Sequence, residues 1–193
     1  LYGGGHHRTP YTWDKERVSS YIRYVDTDNQ SHWLFDSFLF LEIMDTGTGG
    51  ANKMFAKGYN LESANQADWT KLIDYYFQSE TGIGALDASV KEASAILGTP
   101  RQKRQIVISI PEPIVYQHPE QASSSTKYWG KIDNQTLDFS NSADRIKACK
   151  WYIDQVRAKF NEKNYQHVEL AGFYWLAEKA TDTRDILNAV AIY

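Results

Sequence analysis

Two glutamates follow apolar, strand-like segments, and their chemistry can be named first. Glu112 follows the run RQIVISIP, and Glu178 follows the run GFYWLA. Two carboxyl groups about 5 to 10 Å apart can cleave a glycosidic bond: one protonates the leaving oxygen, and the other attacks the sugar carbon or activates water. Neighbouring strands lie about 4.8 Å apart, so glutamates at adjacent strand ends are expected to form such a pair.

Glu178 is expected to be the acid of this pair. It follows Phe173, Tyr174 and Trp175 in the chain, and apolar neighbours disfavour a charged carboxylate and keep its proton in place. Two other interpretations stay open for this residue. It can be a solvated glutamate in a first helical turn, or a salt-bridge partner of Lys179 or Arg184.

Other polar and aromatic residues near strand ends are expected to bind the substrate. Tyrosine and tryptophan rings stack on the apolar faces of sugars while their polar edges stay hydrated. Aromatic residues make up 14% of the chain, which favours this chemistry or a large aromatic core. The predicted substrate-binding residues are His6, His7, Glu42, Trp129, Tyr174 and Trp175.

The long segment 112–140 separates a strand from the next helix. An idle connection in a compact domain is shorter than this, so the length predicts a binding loop that covers the carboxyl ends of the strands. Tyr128 and Trp129 are its expected ligand contacts. Within the segment, residues 131–139 are expected to fold into a small hairpin that turns at Asp133 and Asn134.

Several classes of site and partner are not expected. His6 and His7 are consecutive, so they point to opposite sides of an extended chain and cannot easily hold one metal ion. Cys149 is the single cysteine, and its helical spacing with apolar residues predicts a buried position. A net charge of -3 argues against nucleic acid as a partner. We therefore predict no metal, no cofactor, no nucleic-acid partner and, from the absence of a long apolar stretch, no membrane span.

The elements that would position these residues alternate between strand and helix. Apolar runs predict strands at 1–5, 33–43, 104–113 and 167–175, and stripes with helical spacing lie between and after them. Such units predict parallel strands in chain order. Four of them fill half of an eight-stranded TIM barrel, so we expect one α/β domain over 1–193 that forms the N-terminal half to two-thirds of a (β/α) barrel. The alternative is an open, doubly wound sheet.

Four segments resemble a bacterial domain family of unknown function. They are HWLFDSFLFLE at 32–42, ISIPEP at 108–113, KWYID at 150–154 and AGFYWLAE at 171–178. The family resembles secreted, glycoside-hydrolase-like barrels of polysaccharide-degrading bacteria. The resemblance implies a secreted, periplasmic or cell-surface protein and further sequence on the C-terminal side.

These observations lead to a hypothesis of function with alternatives. The chain is expected to be a carbohydrate-active protein, a glycoside hydrolase that uses Glu178 and Glu112 on a polysaccharide or oligosaccharide. A non-catalytic glycan-binding domain would keep the aromatic residues without needing an acid at position 178. A doubly wound hydrolase or transferase for a small molecule is the third class. The sugar, the linkage and the oligomeric state are not predicted.

Overall fold

The computed structural model describes residues 1, 12–45, 53–58, 62–117, 128–180 and 182–193. In this part of the chain the helices are α1 (Lys15–Ile22), α2 (Gln66–Tyr76), α3 (Gly82–Leu97), α4 (Ser142–Lys163) and α5 (Arg184–Ala191). The strands are β1 (Arg23–Val25), β2 (Ser31–Trp33), β3 (Ser37–Phe40), β4 (Met44–Asp45), β5 (Lys53–Met54), β6 (Arg104–Ile110), β7 (Gly130–Ile132), β8 (Gln135–Leu137) and β9 (Val168–Trp175).

The largest sheet has the order β3-β6-β9, and both pairings are parallel. Leu1 extends this arrangement, since its amino group donates to the carbonyl of Leu39 and its own carbonyl accepts from the N–H of Leu41 at 3.1 Å. Bonds to the residues on either side of one position are the pattern of parallel pairing. The prediction of parallel neighbours in chain order is confirmed for the second, third and fourth strands.

Helical crossovers join these strands, as the apolar stripes predict. α2 and α3 lie between β3 and β6, and α4 lies between β6 and β9. Asn65 and Asp68 form a capping box at the start of α2, which satisfies backbone N–H groups that a helix start leaves unpaired. α4 begins after Asn141, which accepts from the N–H of Ala143, and ends at Asn164 in a left-handed conformation. The predicted helices are therefore confirmed.

The segment before the second predicted strand differs from the expectation. Trp33 does not belong to a strand over 33–43; it ends β2, which pairs antiparallel with β1. The N–H of Leu34 then donates to the carbonyl of Ile22 at 2.9 Å, which ties the hairpin to the end of α1. The backbone hydrogen bonds of β1 and β2 are made to each other, within the hairpin. β3 therefore starts only at Ser37, and the strand predicted over 33–43 was too long.

The predicted hairpin near 131–139 is confirmed as β7 and β8. Asp133 and Asn134 both have positive φ, 50° and 62°, as a two-residue turn with the twist of the strands requires. The hairpin is attached to the start of α2, because Gln66 accepts from the N–H of Lys131 at 2.8 Å and donates to its carbonyl at 3.0 Å.

The core contains large aromatic side chains from α2, α4 and the segment around the hairpin. Trp69, Trp129, Tyr76 and Tyr152 are almost completely buried. None of the helices in the described ranges is long and apolar enough to cross a bilayer.

Candidate functional site

The site is centred on Glu112, two residues beyond the end of β6. Its backbone N–H donates to the carbonyl of Phe55 at 2.8 Å, and its Oε2 accepts from the backbone N–H of Lys57 at 2.7 Å. The segment after β5 therefore holds both the main chain and the carboxylate of Glu112. Pro111 and Pro113 flank the residue and have no N–H group, so the sheet ladder cannot continue through this point.

Glu112 is a buried carboxyl with an exposed fraction of 7%. Burial raises the pKa of Glu112, and the negative charge of Asp182 acts in the same direction. The backbone bond from Lys57 and the charges of Lys57 and Lys179 oppose this effect and lower its pKa. Because burial is the largest influence, the pKa of Glu112 lies above that of a free glutamate, which is the direction that a proton donor needs.

A small pocket lies beside Glu112. About 50 Å³ of it is open to water-sized groups. The lining residues are Lys57, Glu112, Pro113, Val115, Tyr116, Asp182 and Thr183. The ammonium group of Lys57 pairs with Asp182 at 2.8 Å and lies 4.5 Å from the centre of the Tyr116 ring. The pocket therefore combines a buried acid, an ion pair and an aromatic face.

Glu178 lies in the turn that follows β9. Its side chain is exposed, so the apolar wall expected around it is absent from its surroundings. The hydroxyl of Tyr174 donates to Glu178 Oε1. Because the Glu178 carboxylate accepts this bond, it stabilises the protonated phenol of Tyr174 and raises the pKa of Tyr174. The structure thus joins two of the predicted site residues in one hydrogen-bonded pair.

The backbone at Glu178 is unusual. Its φ is 55°, in the left-handed region that glycine adopts without penalty and other residues rarely occupy. Its N–H donates to the carbonyl of Trp175 at 3.2 Å, which closes a tight turn.

A comparison with known families gives one match, which extends over residues 1–193 and is described as a domain of unknown function, DUF4855. The chain belongs to the DUF4855 family. No curated protein and no solved structure matches it. The family description names no activity, so a function for this DUF4855 domain has to be argued from the site.

The other predicted site residues occupy different environments in the DUF4855 domain. Trp129 is 1% exposed and packs between Trp69, Phe139 and Trp151. It belongs to the core and cannot offer a ring face to a ligand in this structure, which corrects the prediction. Trp175 is half-buried and packs against the core. Its indole N–H is buried and has no hydrogen-bond partner among the described residues.

Glu42 is 6% exposed, so it lies inside the protein. Its charge is one of the causes, after burial and Tyr152, that raise the pKa of Tyr76. Glu42 therefore lies near the buried Tyr76 hydroxyl, in the interior of the domain. His6 and His7 lie outside the described residues.

Sequence reasoning missed Lys57 and Asp182. Lys57 had no signal, because it reaches Glu112 from 55 positions away in the chain. Asp182 lies in the turn before α5, and its Thr- and Asp-rich surroundings in the sequence carry no signal for a site. Tyr116 lies in the segment that the sequence did assign to binding.

The described ranges contain no group of three His, Cys, Asp or Glu side chains placed to hold a metal ion. Cys149 is buried in the core, as its helical spacing predicts. Burial raises the pKa of the Cys149 thiol to about 12, so it is not a nucleophile at neutral pH.

Proposed function

We propose that this DUF4855 domain is a carbohydrate-active protein, a glycoside hydrolase that acts on a polysaccharide or oligosaccharide. The observation that supports it best is the contrast between two glutamates at the ends of neighbouring parallel strands. Glu112 is buried and has a raised pKa, whereas Glu178 is exposed and bonded to Tyr174. Two carboxyl groups in unlike environments can divide the roles of acid and base between them.

The environments favour a division of roles opposite to the one expected from sequence. Glu112 is the general acid in this proposal, because burial raises the pKa of its carboxyl group. Glu178 is the second carboxylate, since its exposed side chain can reach water or a sugar carbon. Tyr174 orients Glu178 through its hydroxyl and can place its ring against the sugar.

We also propose that the sheet is part of a (β/α) barrel. β3, β6 and β9 are parallel, in chain order and joined by helices, as in the first half of such a barrel. Within the described ranges β9 pairs with β6 alone, which leaves its outer edge available to another strand. The register places Leu39, Val107 and Gly172 side by side, and all three are half-buried. A secreted or cell-surface location is part of the same proposal and rests on the family resemblance alone.

The alternative is a glycan-binding domain without catalysis. The pairing of the exposed Glu178 with the half-buried Tyr174 favours it, because an aromatic ring beside a hydrogen-bonding carboxylate can bind a sugar at the surface without a proton donor. In that case Glu178 would contact sugar hydroxyls and Glu112 would serve the structure only.

The two functions are separated by hydrolysis of plant and microbial polysaccharides, measured as released reducing sugar. The proteins compared are the wild type, Glu112→Gln and Glu178→Gln. The control is Glu169→Gln, near the amino end of β9, the strand that precedes Glu178. For Glu112→Gln we expect the rate to fall by about 10² to 10⁴, with glycan binding retained. A comparable fall is expected for Glu178→Gln, and wild-type activity for the control.

Full activity in Glu112→Gln would contradict its role as the acid. An inactive wild type that still binds glycans would favour the binding domain.

A further inference from the structure

Beyond the two glutamates, a chain of contacts connects helix α4 to the Glu112 pocket. We propose that Arg145 of α4 is a positioning residue for Glu112: it holds the turn at Asp182, and Asp182 holds Lys57 against the Glu112 carboxylate. This inference rests on the proposed role of Glu112. It concerns how that carboxyl group is held, and it assigns to Arg145, Asp182 and Lys57 a task that the sequence did not indicate.

The first step of this chain is the hold of Arg145 on the turn before α5. Arg145 is buried, with 6% of the residue exposed. Its Nη1 donates to the backbone carbonyl of Asp182 at 3.3 Å, and its Nη2 donates to Asp185 Oδ2 at 2.7 Å. A planar guanidinium can bond a carbonyl and a carboxylate at once in fixed directions, so it sets the orientation of residues 182–185.

Asp185 is secured on its other side. Ser142, at the start of α4, donates to the same Asp185 carboxylate. The hydroxyl of Ser142 and then the guanidinium of Arg145 lower the pKa of Asp185, which keeps it charged and paired. The turn is also held from within, since Ile186, at the start of α5, is completely buried. The contact between α4 and the turn before α5 is therefore held by Ser142 and Arg145 on the α4 side and by the buried Ile186 on the α5 side.

The second step leads from Asp182 to Glu112. The Asp182 carboxylate pairs with Lys57 Nζ at 2.8 Å, and the backbone N–H of Lys57 donates to Glu112 Oε2 at 2.7 Å. The side chain of Lys57 is 19% exposed and also lies over the ring of Tyr116. Anchoring its ammonium group on Asp182 restricts where the Lys57 backbone can lie, and so where the carboxylate of Glu112 is held.

The charged groups that act on Glu112 come from three parts of the chain. They are Lys57 from the segment after β5, Lys179 from the turn after β9, and Asp182 from the turn before α5. Asp182 raises the pKa of Glu112, and the two lysines lower it. Displacement of the 182–185 turn should therefore change the titration of Glu112 even though Arg145 does not contact it.

The test follows the side-chain carboxyl of Glu112 by ¹³C NMR during a pH titration of the whole protein. Its resonance is assigned by its loss in Glu112→Gln. We expect the pKa of Glu112 to shift upward in Asp182→Asn and in Arg145→Met, because Lys57 is released in both, and the loss of its backbone bond and its charge outweighs the loss of the Asp182 charge. A downward shift in Asp182→Asn would mean that Asp182 acts on Glu112 by its charge alone, and it would overturn the proposal. The control is Arg157→Met, on the same helix, where the arginine pairs with Asp154; there the titration of Glu112 should not change.

An unchanged titration of Glu112 in Arg145→Met would overturn the proposal, and so would an unchanged titration in Asp182→Asn. If Arg145→Met does not fold, Ser142→Ala combined with Asp185→Ala removes the bonds that Asp185 accepts from Ser142 and Arg145. The expected direction of the Glu112 pKa shift is the same. The readout needs no turnover. A protein that lacks hydrolase activity but shows these shifts would refute the proposed function and support the positioning network.

Discussion

The aromatic segment around Trp129 and the end of strand β9 look alike in sequence but differ in the structure. Both place aromatic residues after an apolar run or a turn, and both were expected to contact a sugar. Around Trp129 the rings pack against one another. Its ring centre lies 4.9 Å from that of Trp69 in an edge-to-face arrangement, and 5.5 Å from that of Phe139 in a stacked one. At the end of β9, Tyr174 bonds to the exposed Glu178 instead.

The difference comes from backbone hydrogen bonds that the sequence does not display. The N–H of Gln66 donates to the carbonyl of Trp129 at 2.9 Å, and this bond holds the backbone of Trp129 against the start of α2. β9 has no comparable cover at its carboxyl end within the described residues, and its last residues are half-buried. Aromatic content alone therefore does not distinguish a core from a binding surface; the docking of neighbouring backbone does.

The largest expected effect is the loss of stability in Trp129→Ala. Removing a buried indole leaves a cavity, and such truncations cost about 3 to 5 kcal/mol in the free energy of unfolding. Tyr174→Ala, at the end of β9, should cost about 1 kcal/mol, the usual size for a point substitution. Denaturant titration of both variants gives the comparison. Equal losses would contradict the distinction between a closed and an open aromatic region.

A smaller effect is expected from the backbone at Glu178. The left-handed conformation costs a residue other than glycine about 1 to 2 kcal/mol of folding stability. Glycine avoids this cost, but its greater conformational freedom in the unfolded chain lowers the stability by about 0.5 to 1 kcal/mol. Glu178→Gly should therefore be more stable than Glu178→Ala by about 0.5 to 1 kcal/mol. The matched pair Glu169→Gly and Glu169→Ala lies within β9, where the order should be reversed.

Thermal or denaturant unfolding of the four variants measures this difference. If Glu178→Gly and Glu178→Ala have the same stability, the positive φ of 55° is not a source of strain.

Local patterns predicted those parts of this molecule that depend on neighbouring residues. The turn at Asp133 and Asn134 was predictable because two residues with positive φ suit a two-residue hairpin. The end of β6 was predictable because prolines at 111 and 113 cannot extend a ladder. The order of the parallel strands followed from the alternation of strands and helices, whereas closure into a barrel stays a prediction.

The environment of the site depended on contacts between distant segments. Glu112 was identified as a site residue, but its burial depends on a segment 55 positions earlier, which carries Lys57. Glu178 was placed correctly after a strand, yet only part of its aromatic sequence neighbourhood lies beside it. Tyr174 bonds to it, whereas Trp175 packs against the core, because successive residues of a strand point to opposite faces. Sequence proximity is thus a poor guide to which carboxyl group is desolvated.

The smallest expected effect concerns the pair at the end of β9. The hydroxyl of Tyr174 donates to Glu178, and this bond raises the pKa of Tyr174. Glu178→Gln removes the negative charge that stabilises the protonated phenol, so the pKa of Tyr174 should fall toward its ordinary value of 10.0. The measurement is a pH titration of ¹³C-labelled tyrosine followed by NMR, with the Tyr174 resonance assigned by its loss in Tyr174→Phe.

A second tyrosine and carboxylate pair in the chain provides the control. Tyr193 donates to Asp154 at 2.7 Å, and this bond likewise raises the pKa of Tyr193. In Glu178→Gln the pKa of Tyr193 should be unchanged. In Asp154→Asn the pKa of Tyr193 should fall, and the pKa of Tyr174 should be unchanged. If Glu178→Gln leaves Tyr174 unaffected, the two residues do not interact in solution. Glu178 would then lack the partner that orients it toward a sugar, and the end of β9 would lose its strongest argument for being a binding surface.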